Sequence, residues 1–336
     1  MNLREMEQIL NHGTLSDIRE AMTSTDFYQF MQKGVKSLVI DSYQKALVKT
    51  TYQELTVLDT SDSNKEDYPS MGGPQLPRLK AEGMPYEAIN GGSPDSVPVT
   101  NQTFGGIIEL TSEADADDKT PGKALRKQAQ QVGPNHAKQK DKVVYSILSN
   151  NPTIYDGGAF FRLNHPGYTG GANRPSNDNE YTAVTLSANA LATVLGRIAQ
   201  WEGADPDQEL DVQAESLVVP ITLQQTAFGL TRADLLPFAF AAGPLGPAAT
   251  GGVGMPNVMK GKIGVITSHR LDRASLVDWF IKTSFPGFVY QPREGLSVMA
   301  EAANAGRAFS HGTLRWRTSE RYRLKVINWR SFAWIS

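Results

Sequence analysis

His165 and Asp156 are the two residues of this chain best placed, by type and spacing, to do acid–base chemistry. They lie nine residues apart in a stretch that reads as loop, NNPTIYDGGAFFRLNHPGY. A carboxylate can orient an imidazole, and an oriented imidazole can activate a nucleophile. The plainer reading is that both side chains hydrogen-bond loop backbone. The other histidines are His12, His136, His269 and His311, and none of the five stands three to five residues from another. Helical metal-ligand pairs of the HExxH type are therefore not encoded. Pro256–Ile263 (PNVMKGKI) comes nearest to a phosphate loop, but Pro256 replaces the first glycine and Ile263 the hydroxyl residue. It reads as a turn entering a strand. Gly251–Gly254 follows a proline-rich loop and not a strand, so it is no dinucleotide fingerprint. Glu113–Asp118 (EADADD) lacks the glycine and terminal glutamate of a calcium loop and reads as a solvated face or helix start. Lys123, Arg126 and Lys127, with Lys138, Lys140 and Lys142, form a basic group whose default is a solvated helix face. Nucleic acid or an acidic neighbour is its alternative partner. There is no Gly-x-Ser-x-Gly elbow. No catalytic, cofactor-binding or metal-ligating residue is nominated.

The elements that would carry these residues follow from pattern. Thr14 or Ser16 can cap a helix with Ile18, Met22, Phe27, Phe30 and Met31 on one face, and a second helical stretch carries Val35, Leu38, Val39 and Leu47. This arm must bury its stripe against something, a neighbouring subunit included. Thr51–Leu58 and Thr103–Leu110 read as strands flanking a long polar excursion rich in Gly and Pro. Its apolar content is too thin for a core of its own, and an excursion of that length is disordered or ordered by a partner. Residues 121–149 read as helix with Val143, Val144, Ile147 and Leu148 inward. Gly133-Pro134 predicts a kink or a division into two helices. Ser187 caps a helix to about Trp201 with Leu191, Leu195, Ile198 and Ala199 on one face. Ser216–Thr222 is a buried strand followed by a helix from Leu223. Lys262–Thr267 is a strand, and Arg321–Trp329 is a half-exposed strand with Tyr322, Leu324 and Val326 on one side. Leu235–Met259, uncharged but broken by four prolines, is a long loop and not a membrane span.

Bulk properties narrow the class. Of 336 residues, 40% are hydrophobic and 20% charged, enough apolar material for a core. The formal net charge is −2, unlike that of a protein that grips nucleic acid through phosphates. With no cysteine, disulfides, thiolate metal sites and a cysteine nucleophile are excluded. MNLREMEQILNHG has no apolar core of a secretory signal.

Five blocks in order carry a resemblance: TFGGIIELTSEADADD (Thr103–Asp118), KVVYSILSNNPTIYDGGAFFRLNHPGY (Lys142–Tyr168), AESLVVPITLQQTA (Ala214–Ala227), VMKGKIGVITSHRLDRASLVDWFI (Val258–Ile281) and RYRLKVINWR (Arg321–Arg330). Together they resemble the major head subunit family of Mu-like tailed bacteriophages, over roughly residues 50–330. The resemblance implies an α+β fold of the Hong Kong 97 capsid type. It implies an N-terminal arm (1–49), an E-loop with flanking strands (50–110), a peripheral domain with a long spine helix (111–172 and 285–336) and an axial domain (173–284). It implies a structural protein, not an enzyme, that self-assembles through hexamers and pentamers into an icosahedral head enclosing double-stranded DNA without sequence-specific binding. No cofactor is implied. The expected partners are the chain itself, a separate scaffolding protein, a portal protein and a decoration protein, with assembly in a bacterial cytoplasm and residence in the virion. The alternatives are an encapsulin-like cellular compartment shell and a soluble hydrolase using Asp156 and His165.

Overall fold

The computed structural model describes residues 24–70, 77, 79–86, 95–111, 123–165, 177–201, 203, 210–236, 255–301 and 313–336. In chain order its elements are α1 (Ser24–Leu47), α2 (Tyr52–Leu55), β1 (Val57–Leu58), β2 (Lys65–Ser70), β3 (Asp95–Thr100), β4 (Gln102–Thr111) and α3 (Lys123–Asn150). β5 (Glu180–Tyr181), α4 (Ala188–Ile198), β6 (Ala214–Val219), α5 (Gln224–Arg232), β7 (Leu235–Leu236), β8 (Met255–Pro256) and β9 (Gly264–Thr267) follow. The last are β10 (Trp279–Thr283), β11 (Phe288–Ala300), β12 (Thr313–Val326) and β13 (Phe332–Ile335). Among the described residues no helix is long and apolar enough to cross a membrane. Thr14, Ser16, Ile18, Met22, the run Glu113–Asp118 and most of the Leu235–Met259 loop lie outside the described residues.

The chain forms two compact units. The first comprises Met1–Thr50, Asn101–Asp141 and Pro292–Tyr322. Here β4 pairs antiparallel with β12, from Thr111 opposite Thr313 to Gln102 opposite Tyr322. Ile108 and Leu110 of β4, Val298 of β11 and Trp316 of β12 form one apolar surface. Val35 and Val39 of α1 and Leu125 and Ala129 of α3 close over it, each pair spaced i, i+4 so that both side chains fall on one helix face. The arm's stripe at Val35 and Val39 is thus buried within its own chain. The two helical stretches expected there share one helix from Ser24.

α3 runs unbroken through Pro134, which corrects the expected division into two helices. Gly133 gives the reason. A β-carbon there would run into Ser42 Oγ and the Val39 carbonyl and stand 2.7 Å from the Tyr43 amide. α1 crosses so closely that only glycine fits, and the packed turns on either side, with Ala129 and Ala137 fully buried, hold the helix across the missing proline N–H.

The second unit comprises Thr51–Thr100, Lys142–Gln291 and Arg323–Ser336. Its centre is a five-stranded sheet in the order β5-β13-β10-β6-β9. β10 is antiparallel to both β13 and β6, and β6 is parallel to β9. Trp279, Phe280 and Ile281 of the central β10 are all buried, the continuous apolar run of a strand covered on both faces. Ser187 caps α4 as expected, accepting from the Ala190 amide at 3.2 Å. The buried face is Leu191, Val194 and Ile198, with Ala199 exposed. The strand read at Ser216–Thr222 ends at Val219, and Ile221–Leu223 is a 3-10 turn. The Asn257–Lys262 segment is a turn entering β9, as read; Asn257 Nδ2 pins it to the carbonyls of Leu230 and Ala233 at 2.8 and 2.9 Å.

Thr51–Leu58 departs from expectation. Most of it is the single turn α2, whose Tyr52 and Leu55 are both buried, and only Val57–Leu58 is strand. The polar excursion begins and ends as an antiparallel hairpin, with Lys65 opposite Thr100 and Ser70 opposite Asp95. Val97 and Val99 anchor its base against Val289 and Ile327.

Candidate functional site

The loop after α3 folds back in the second unit and brings His165 to Asp156, the pair that the sequence singles out. His165 Nδ1 stands 2.9 Å from Asp156 Oδ2, and the two side chains are 0% and 2% exposed. The structure adds three residues. Arg162 Nη2 donates to Asp156 Oδ2 at 2.8 Å and its Nε points at His165 Nδ1 at 3.4 Å. Asn179 Oδ1 lies 2.9 Å from His165 Nε2. Trp329 stacks flat on the imidazole, ring centroids 4.4 Å apart and planes 4° from parallel. Asp156 Oδ1 also accepts from the Gly158 amide at 3.1 Å, the loop-backbone role expected of it.

Asn179 fixes the tautomer. Its Nδ2 donates to the carbonyls of Phe160, Trp329 and Phe332 at 2.8, 3.2 and 3.2 Å, so its Oδ1 must face the ring and accept. His165 Nε2 therefore carries the proton. Burial pushes the imidazole below its ordinary value, and the Arg162 charge adds to this, against the pull of Asp156 and Asn179. Nδ1 meets both the Asp156 carboxylate, at 2.9 Å, and the Arg162 guanidinium, at 3.4 Å.

A general base in a hydrolase needs the reverse arrangement, with Nδ1–H on the carboxylate and a bare Nε2 aimed at a nucleophile. Here Nε2 is a donor held by an amide. The cluster is a clamp that fastens the loop Asn151–His165 to the turn Trp329–Ser331 and to β13. We expect His165→Ala to lower stability by about 2–4 kcal/mol, from the lost stack and hydrogen bonds. Because the folded pKa is depressed, an unfolded chain binds protons more readily below about pH 6.5. The clamp's contribution is present above that pH and is lost as pH falls toward the lower folded value. Unfolding curves between about pH 5 and 8 should show a slope that His165→Ala flattens; an unchanged slope would contradict this assignment.

A second buried cluster lies in the first unit. Lys140 of α3 pairs with Glu320 of β12. Tyr43 of α1 donates to Glu320 Oε1 at 2.7 Å, and His136 Nδ1 stands 3.7 Å from Oε2. Sequence reading placed Lys140 on a solvated basic face, but it is 2% exposed. Glu320 carried a signal that was missed. It falls on the inward parity of β12 with Trp316, Thr318 and Tyr322, amid a run of arginines. Neither cluster holds a nucleophile beside a free base.

The described residues also expose grouped apolar side chains. In the excursion between β2 and β3, Leu79 is 101%, Met84 60% and Tyr86 86% exposed. In the second unit Thr222 Oγ1 donates to the Leu276 carbonyl at 2.9 Å, placing exposed Ile221 beside exposed Leu276 and Val277. Scattered exposed leucines are ordinary, but grouped apolar residues on a loop and on a turn mark contact surfaces.

Comparison with known proteins agrees with that geometry. The capsid of a native GTA particle has this fold, with a TM-score of 0.51 at 10% identity, covering 85% of this chain and 89% of that one. The capsid of the cyanophage P-SCSP1u matches likewise, with a TM-score of 0.51 at 12% identity, covering 85% and 87%. The α+β architecture is therefore that of the Hong Kong 97-type phage capsid proteins. The profile of the family described as phage capsid protein matches residues 94–335, well over half of the sequence, and the chain belongs to that family. Its role is that of a structural major capsid protein of the virion. A search of the curated proteins finds no match.

Proposed function

We propose that the chain assembles through hexamers and pentamers into an icosahedral head of the Mu-like type, enclosing double-stranded DNA. The observation that carries this reading is the excursion between β2 and β3. A two-stranded hairpin is marginal alone in water, and this one leads to three large exposed side chains, Leu79, Met84 and Tyr86, of which Tyr86 has Lys80 Nζ 4.4 Å from its ring centroid. A neighbouring copy supplies the cover. Because each copy offers one excursion and one receiving surface, the contact is heterologous and closes into rings. In this reading β2 and β3 are the E-loop, α3 is the spine helix of the peripheral domain (111–172 and 285–336), and residues 173–284 form the axial domain. A separate scaffolding protein, a portal and a decoration protein complete the particle, which forms in a bacterial cytoplasm. The protein works by assembly, and no step of it calls for catalysis. Sedimentation of the purified chain, alone and with its scaffold, tests the reading: particles are expected, and a chain that stays at subunit mass in both would overturn it.

A further inference from the structure

A cavity in the second unit combines apolar walls with a single charge. It measures about 80 Å³ and is walled by the buried Leu148, Leu271 and Phe280 and by the half-buried Trp334. Ala274, which is exposed, marks where it meets solvent. That volume admits about six atoms of water size. Water gains little against such walls, because each molecule needs about two to four polar partners.

Asp278 is the one charged residue lining the cavity. Its Oδ2 accepts from Trp334 Nε1 at 3.2 Å, and its amide donates to Ser275 Oγ at 3.2 Å, so the carboxylate is held in place. It makes no ion pair among the described residues. A half-buried carboxylate against apolar walls is stabilised more by a cation than by a neutral donor. The rings of Phe280 and Trp334 attract a cation that reaches their faces. The leucines take up methylene groups. The cavity therefore fits an ammonium or guanidinium on a short alkyl stem, which is what a lysine or arginine side chain carries. A protein supplies it, because Leu276 and Val277, which stand between the lining residues Ser275 and Asp278, are 55% and 63% exposed and would stay in water beside a free small cation. In a capsid protein the partner present at every subunit is another copy.

We propose that this cavity receives a lysine or arginine side chain from a second copy of this chain. The proposal rests on the capsid reading and adds to it a charged anchor point between copies. The test measures, by light scattering, the critical concentration for particle formation with the scaffold present. Asp278→Asn keeps an acceptor for Trp334 and removes the charge, and Ala274→Leu narrows the mouth from an exposed position. A thermal melt checks that both fold. Each should raise the critical concentration at least about tenfold. Millimolar n-butylguanidinium should raise it for the wild type and leave Asp278→Asn unmoved. Normal assembly of both variants would overturn the proposal, as would a competitor without effect on the wild type. An effect of Ala274→Leu alone would also overturn it, because the occupant would then be apolar. So would loss of scaffold binding by Asp278→Asn, which would put the scaffold in the cavity. Failure of the wild type itself to form particles would count against the capsid reading. The cavity is then judged by NMR line broadening of n-butylguanidinium, expected with the unassembled wild type and lost in Asp278→Asn; equal broadening by the two, or none, would overturn it.

Discussion

Glu320→Ala is expected to destabilise the first unit by about 3–5 kcal/mol, more than any other single change considered, because it strands a buried ammonium. Lys140 and Glu320 have side chains only 2% and 3% exposed. Lys140 Nζ donates to Tyr43 Oη at 2.6 Å, so the pair also ties α1 to α3 and β12. Burial lowers the Lys140 pKa, with Glu320 opposing it. Burial would raise Glu320, but His136, whose Nδ1 stands 3.7 Å from Oε2, the Lys140 charge and the hydrogen bonds from Lys140 and Tyr43 outweigh it, so the carboxyl titrates below its ordinary value. For a depressed carboxyl the stabilisation is present above about pH 4.5 and is lost as pH falls through the lower folded value. The geometry makes a second, opposite prediction. Lys140→Met/Glu320→Leu removes both charges and fills similar volume, so it should recover most of the loss. Chemical unfolding of the unassembled chain reads both. A Glu320→Ala cost below about 1 kcal/mol would mean that the pair is solvated and not buried.

The second large effect falls on assembly and leaves folding alone. Leu79→Asp/Tyr86→Asp places two carboxylates where the excursion presents its apolar side chains. Both positions are exposed in the subunit, so its melting behaviour should change by no more than about 0.5 kcal/mol. In a shell every subunit repeats the same contact, and a charge that must be desolvated there is repeated at each copy. Particles should disappear while folded subunits remain, as read by size-exclusion chromatography and circular dichroism. Particles of normal size would show that the excursion does not lie on a neighbour.

What the sequence reveals and what it hides divide along physical lines. Strict periodicity was legible. The alternation of Tyr322, Leu324 and Val326 and the i, i+4 spacing of Val35 and Val39 both face buried cores as read. A local cap, Ser187, was legible too, because its partner lies three residues away. Thr51–Leu58 was misread because Thr and Val favour strands, whereas burial of Tyr52 and Leu55 along one helical turn decides the matter. Gly133-Pro134 looked like a breaker because a sequence does not show which helix crosses it. Asp156 and His165 were visible as neighbours in the chain. Asn179 and Trp329, which set the tautomer and cover the ring, come from distant segments and gave no local signal. Lys140 was placed among solvated lysines because its partner Glu320 lies on a strand far along the chain.

The central claim, that this chain builds a closed shell, is tested most directly by the mass and image of the purified particle. Light scattering and negative-stain microscopy of the chain, expressed with its scaffold, should give closed particles of megadalton mass with five- and six-fold rings. A uniform species at the 36.7 kDa subunit mass, unchanged by the scaffold, would contradict it.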